Sequence, residues 1–516
     1  MRLGVDLGTS RTVVAVADRG NFPIVGFAAT NGDVIEHYPS LTAEVGGRLV
    51  HGLDAVSAAE EGAPALGSWK RLLTQHGASY PVTIGAVTVP LLELVTDYLS
   101  ALRRDLFVRS NLPKKFADPL EAAVAVPANA HSTQRFVTLE AFRAAGFAVR
   151  CMMNEPSAAG LEYAHRYRGT LNTKRENVVV YDLGGGTFDA ALVSMAGGQH
   201  DIVTTGGIAR LGGDDFDETL LSMALEVAGV TRELAQDEHM RLLAECRAAK
   251  EGLSPNTRRL TLELSALGDD APDGPVLVTV NDYYERLRPL VLRTLEAMDP
   301  VLDATGAERP LIEGAGGEEL GAPRDLAGIY VVGGASGLPL VPRLLRERFA
   351  RRVHRSPYPS AATAIGLAIA ADAEAHPPVT ERFTRHLGVF RERDQGSAVS
   401  FDGIFAKGTP MPDLGAPPLV VTRRYRAAHN MGYYRFVECG GLDLRGDPAG
   451  DITPHAEVRF PFVRGLRATP GLDDVMIQRL ADGGPLVEER YEVDAAGVII
   501  VTIQDLEDGY ERRYVL

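Results

Sequence analysis

Residues 177–193 read NVVVYDLGGGTFDAALV. An apolar run leads into Asp182, a glycine turn carrying Thr187 follows, and a second apolar run closes the segment, which predicts strand, turn, strand. A second stretch, LGVDLGTSRTVVAV at 3–16, has the same arrangement: an apolar strand ending in Asp-Leu-Gly, a hydroxyl residue in the turn, then another strand. Asp6 and Asp182 lie 182 − 6 = 176 positions apart. Two hairpins can be alike by chance. Duplication of one lobe is the sharper reading, and it predicts two similar lobes facing each other across a cleft, where ligands prefer to sit.

Two more glycine turns follow the same logic, GGDDFD at 212–217 and VGGASG at 332–337. Glycine lets the backbone approach a ligand closely and aim N–H groups at phosphate oxygens. Asp6 and Asp182, each at a strand end, suit a hydrated Mg²⁺ between a triphosphate and the protein. One such turn is usually an ordinary hairpin; four in this order point to a nucleotide. The chain contains no GxxxxGK[ST] loop, and no GxGxxG follows its first strand.

The rest of the chain falls into place around these turns. Helices are expected over 90–103, 132–145 (ended by Gly146), from 155 onward, and over 239–252, 282–298 and 361–371. Strands are expected at 122–126, stopping at Pro127, near Val149, and at 260–264 and 276–280. Residues 304–327, rich in Gly, Pro and Glu, read as a long loop, and His376-Pro377-Pro378 reads as a linker. Beyond it, short alternating segments at 420–426, 432–438, 457–462 and 491–493 give an all-β pattern, with a hairpin turn at 494–497.

The 516 residues carry 53 Lys+Arg against 68 Asp+Glu, a formal charge of −15. Apolar residues at 45% and charged residues at 23% are globular values that exclude dominant disorder. The acidic balance argues against nucleic-acid binding, which needs clustered cations. Three scattered cysteines, the absence of a signal-length apolar start and of a membrane-spanning stretch predict a cytoplasmic protein with no membrane span.

GVDLGTS, SWKRLL at 68–73, VAVPANAHSTQR at 124–135, NEPSAAG at 154–160, YDLGGGTFD, GGDDFD and VVGGASGLP together resemble the seventy-kilodalton heat-shock (DnaK-like) chaperones of the actin-like ATPase superfamily. The resemblance implies an α/β fold: a two-lobed actin-like ATPase with duplicated ribonuclease-H-like lobes over 1–372, a linker over 373–384, and an all-β sandwich that binds substrate over 385–516. It implies ATP/ADP and Mg²⁺ as cofactors, with K⁺ as a further ion. Position by position, it assigns Lys70, Glu155, Asp182 and Asp189 to catalysis, and Asp6 and Asp182 to Mg²⁺ through water. Asp6, Gly8, Thr9, Ser10, Gly184, Gly185, Gly186, Thr187, Gly212, Gly213, Asp214, Lys250, Ser254, Gly333, Gly334 and Ser336 would bind ATP. Pro127 and Arg135 match a switch proline and a relay arginine; Pro127 reads equally well as a strand terminator. Cys246 reads as a buried small apolar side chain.

The resemblance further implies an unfolded or specific polypeptide as ligand, with J-domain and nucleotide-exchange co-chaperones as partners. Three departures qualify it. The arginines that flank adenine in the family are replaced by Glu251 and Gly337, which predicts weaker or less base-selective ATP binding. The segment from His376 to Thr380 is a poor strand former, which puts coupling of the family's kind in doubt. No helical lid is expected after the last strands. The leading reading is a lidless chaperone-type ATPase; an ATP-regulated scaffold with one dedicated partner is the alternative, and an actin-fold small-molecule kinase ranks behind both.

Overall fold

The computed structural model describes residues 1–29, 32–113, 119–128, 130–167, 171, 174–195, 200–208, 210–309, 311–314, 317–320, 322–372, 379–412, 415–469 and 471–516. The chain forms two compact units, Met1–Asn129 with Glu140–Val379, and Ala130–Leu139 with Thr380–Leu516.

Two sheets organise the first unit, and each is built around one of the Asp-ending strands. In the five-stranded sheet the order is Phe147–Asn154, Leu120–Val126, Arg2–Leu7, Arg11–Val16, Tyr38–Pro39. In the six-stranded sheet it is Val353–Arg355, Leu326–Val332, Asn177–Leu183, Phe188–Ser194, His200–Ile208, Val379–Thr380. Arg2–Leu7 runs parallel to Leu120–Val126 and antiparallel to Arg11–Val16. Asn177–Leu183 likewise runs parallel to Leu326–Val332 and antiparallel to Phe188–Ser194. The internal resemblance of the two hairpins is thus a duplicated lobe.

Both central strands are apolar runs buried on both faces, so helices cover them. Ala362–Ala371, a helix of small and aliphatic residues, lies against Arg2–Leu7 and against the helix Glu155–Arg166. The expected helices appear as Leu91–Val108, Ser132–Ala144, Gln236–Glu251, Val280–Ala297 and Ala362–Ala371, and the strands as Arg259–Leu262 and Val276–Thr279.

Two expectations are corrected. Within 304–327, Leu311–Gly314 pairs antiparallel with Gly317–Leu320 in a two-stranded sheet. Val379–Thr380 takes the edge of the six-stranded sheet. Both residues are β-branched, and Pro377 and Pro378, which would lack a donor, precede the paired pair. The linker at His376-Pro377-Pro378 itself lies outside the described residues.

The second unit holds two four-stranded antiparallel sheets. One orders Ala398–Phe405, His386–Arg393, Met431–Leu442, Pro448–Pro461; the other orders Leu419–Arg426, Leu486–Val493, Ile499–Asp505, Glu511–Val515. Val389, Phe436, Phe460, Val487, Tyr491 and Val501 belong to the apolar core. The expected turn at 494–497 is present: Asp494 Oδ1 accepts from the N–H groups of Ala496 (2.9 Å) and Val498 (3.1 Å), and Gly497 takes φ +74°. Among the described residues no helix is long and apolar enough to cross a membrane.

Candidate active site

The ends of the two central strands face a cleft of about 1460 Å³ within the first unit. Its floor is ionic. The short 3₁₀ helix Trp69–Thr74 buries Trp69 edge-on against Tyr98 at 4.9 Å. That anchor turns Lys70 inward, where its Nζ donates to Glu155 Oε1 at 2.7 Å with both side chains about nine-tenths covered. Glu155 opens its helix directly after the strand Phe147–Asn154, with Pro156 in the first turn.

Asp6, Asp182 and Asp189 surround this pair. Burial is the main influence on each carboxyl, and the charge of Glu155 is the next. Asp6 and Asp189 are pushed up to about 7 and Asp182 well above its ordinary value of 3.8, with Lys70 pulling the other way. On Lys70, burial opposes the charge most strongly, but Glu155, Asp6 and Asp189 outweigh it and hold the ammonium above its ordinary value. Four acids share one lysine here.

The phosphate-type turns lie against one another. A Cβ on Gly185 would come within 2.9 Å of Ser10 Oγ, and one on Gly186 within 2.9 Å of Thr9 Oγ1, so the 8–10 and 184–187 turns meet with no room for side chains. The third turn is pinned beneath the second: Gly213 N donates to Gly184 O (3.0 Å), Asp214 N donates to Gly185 O (2.8 Å), and a Cβ on Gly212 would sit 2.6 Å from Gly185 O. Gly333 has φ +86°, and a Cβ there would lie 2.4 Å from Asp182 Oδ1. These glycines are close-approach positions.

Of the residues expected at the site, Asp6, Gly8, Thr9, Ser10, Lys70, Glu155, Asp182, Gly184, Gly185, Thr187, Gly213, Asp214, Lys250, Ser254, Gly333 and Gly334 line the cleft. Asp189 pairs in register with Asp182 and is buried behind it. Gly186 and Gly212 serve the turns, and buried Ser336 donates to Gly333 O at 2.6 Å. Pro127 is buried just past Leu120–Val126. Arg135 belongs to the 130–139 segment grouped with the second unit; burial lowers its pKa, and Glu381 and Glu438 oppose that. Cys246 is fully buried and its thiol is pushed up to about 12, chiefly by burial, which fits a packing role.

Four further residues contribute; Ser68 and Arg71 stand within SWKRLL, and Arg247 and Arg11 outside the motifs that carry the resemblance. Ser68 Oγ donates to Asp214 Oδ2 at 2.8 Å, and Arg71 pairs with Asp215 at 3.2 Å, joining the first lobe to the third turn. Arg247 pairs with Asp214 (2.9 Å) and Asp217 (3.2 Å), while Lys250 pairs with Asp217 (2.6 Å) and donates to Gly213 O (2.8 Å). The spacing of Arg247, Lys250 and Glu251 at i, i+3 and i+4 was the available signal, since it puts all three on one helix face. The fourth, Arg11, pairs with Glu251.

A protein-family model described as Hsp70 protein matches residues 97–379, more than half of the chain. The chain belongs to the Hsp70 family. Among its relatives, the chaperone protein HscA of Klebsiella pneumoniae subsp. pneumoniae is 30% identical over 527 residues, covering 98% of this chain and 76% of that protein. An HscA homolog of Azotobacter vinelandii is 28% identical over 397 residues, 72% of this chain and 57% of that protein. One of Polynucleobacter asymbioticus is 33% identical over 258 residues, 49% and 37% of the respective chains. Hsp70 chaperones are ATP hydrolases, and the cleft between duplicated lobes is where this Hsp70-family chain places its acids, its lysine and its glycine turns.

Proposed function

We propose that the chain binds ATP and ADP with Mg²⁺ in this cleft, hydrolyses ATP to ADP, and uses the nucleotide state to modulate polypeptide binding by its all-β unit. The observation that carries this reading is the 2.7 Å Lys70–Glu155 contact set among Asp6, Asp182 and Asp189 and facing two touching phosphate-type turns. Phosphoryl transfer to water needs positioning and charge stabilisation more than covalent chemistry, and this arrangement offers both.

The N–H groups and hydroxyls of Gly8–Ser10 and Gly184–Thr187 would hold the phosphates. Lys70 would stand beside the terminal phosphate and orient the attacking water, with Glu155 fixing the lysine and accepting from that water. Asp189 would help place water and a monovalent ion such as K⁺. Asp6 and Asp182 would hold Mg²⁺ through waters. The donor set fits this ion: buried oxygens only, in excess over the single lysine, with carboxyls that repel one another. Bound Mg²⁺ supplies charge neutralisation on the phosphate oxygens.

Pro127 and Arg135 would relay nucleotide state toward the all-β unit, with J-domain and nucleotide-exchange proteins as partners. The three free cysteines suit a reducing, cytoplasmic setting. Steady-state ATP turnover with Lys70→Ala, alongside ADP calorimetry, tests the reading. The expected outcome is loss of turnover with ADP binding retained; turnover at the wild-type rate overturns it. Stimulation by many unfolded peptides supports the chaperone role, whereas stimulation by one partner alone makes the chain a dedicated regulator.

A further inference from the structure

The cation that meets Glu251 comes from the other lobe. Arg11 is the first residue of the strand Arg11–Val16 and follows Ser10 directly in the first phosphate-type turn. Its Nη2 donates to both carboxylate oxygens of Glu251, the last residue of the helix Gln236–Glu251. The two residues are 240 positions apart and both line the cleft. A carboxylate in the last turn of a helix opposes the helix dipole, so Glu251 needs a cation. The nearest candidates on its own face are engaged elsewhere: Lys250 with Asp217 and Gly213 O, Arg247 with Asp214 and Asp217.

The Arg11–Glu251 pair is also placed to open. The side chains are 33% and 44% exposed, and ion pairs that wet are weak. Arg11 is anchored by its backbone beside the turn proposed to hold phosphate; a guanidinium fork matches phosphate as well as carboxylate, and a di- or triphosphate carries more negative charge than one solvated carboxylate.

We propose that Arg11 is an exchangeable phosphate-binding arginine: it is held by Glu251 across the cleft and transfers to the phosphates of a nucleoside di- or triphosphate when one binds. Glu251 is then a built-in competitor for the same guanidinium. The cation absent at positions 251 and 337 is supplied from the first lobe, directed at phosphate and not at the base. This inference rests on the nucleotide reading of the cleft.

Calorimetry with ADP and with adenosine tests it on the full chain. Glu251→Gln removes the competitor and should tighten ADP binding about threefold or more, whereas Arg11→Gln should weaken it about tenfold. With Arg11→Gln already present, Glu251→Gln should have no further effect on ADP affinity. Adenosine, which has no phosphate, should bind Arg11→Gln and the unaltered chain alike. ADP affinity unchanged by Arg11→Gln, or lowered by Glu251→Gln, overturns the proposal while leaving the ATPase reading intact. Loss of adenosine binding in Arg11→Gln overturns it in favour of a contact to the base. Failure of the unaltered chain to bind ADP overturns both readings.

Discussion

His51 ends the strand Arg48–His51, buried, with Nδ1 3.0 Å from Thr42 Oγ1 and its ring edge-on to Tyr98. Burial, then the charge of Arg104, lowers its pKa from 6.5 to about 4. The unfolded chain therefore takes up this proton near pH 6.5, while the folded chain resists it until about pH 4. The stability that neutral His51 contributes is complete above pH 6.5 and is lost as pH falls toward 4. At most this amounts to roughly 3 kcal/mol. Trp69, the chain's sole tryptophan, packs on the same Tyr98 and gives a local probe. Asp6, Asp182 and Asp189, whose pKa values are raised on folding, act in the opposite direction over pH 5–7, so the difference between variants is the test: in urea unfolding followed by Trp69 fluorescence, His51→Gln should lower the pH slope of stability by up to one proton relative to the unaltered chain. An identical slope in the variant would count against a neutral buried imidazole. At this scale the site was legible where a residue sits inside a motif, as Lys70 and Glu155 do. It was illegible where a contact joins distant positions: nothing local to Arg11 announces Glu251, because that pair exists only once two lobes have folded.

Close approach of backbones decides where Glu155 points. The helix Ala362–Ala371 meets Glu155–Arg166 so tightly that a Cβ on Gly366 would fall 1.7 Å from Ala158 O, and one on Gly4 would fall 2.2 Å from Ala364 O. Backbone atoms on both sides cannot move aside like a flexible side chain, so added volume must displace a helix. Gly366→Ala should cost about 1–3 kcal/mol or more by overpacking, read as a lower midpoint in thermal unfolding. It should also lower ATP turnover, because Glu155 sits three residues before Ala158 on the displaced helix. A variant with unaltered midpoint and turnover would show that the helices can separate freely. Small residues over 361–371 predicted a helix, and the helix is there. The paired strands Leu311–Gly314 and Gly317–Leu320 escaped notice because glycine and glutamate carry little strand signal, and pairing with a neighbour supplied what local preference did not. Val379–Thr380 was misread for a related reason: the prolines before it dominated the reading of two residues that a sheet edge could still accept.

Across the whole molecule, the repeat at Asp6 and Asp182 disclosed the two-lobed unit, and alternation disclosed the all-β unit, because both patterns are written in sequence periodicity. Alternation hid one feature. In Leu486–Val493 the inward positions are Val487, Glu489, Tyr491 and Val493, so a carboxylate occupies the core of the second unit, fully buried. It is tolerated because its oxygens are satisfied: Arg391 donates to Oε1 at 3.1 Å and to Oε2 at 2.6 Å, Tyr491 donates to Oε2 at 2.5 Å, and Tyr425 donates to Oε1. Arg391 is held in turn by Asp402 at 2.6 Å. Removing the negative charge leaves a buried guanidinium short of its partner, which typically costs about 3–5 kcal/mol. Glu489→Gln should therefore shift the far-UV circular dichroism change of urea unfolding to lower urea. The Trp69 fluorescence midpoint reports the first unit and should hold. Pairing Glu489→Leu with Arg391→Met removes both charges and should recover most of the loss, since an apolar pair of similar volume often replaces a buried ion pair at little cost. A circular dichroism midpoint unmoved by Glu489→Gln would mean that the tyrosines and Asp402 hold Arg391 without it.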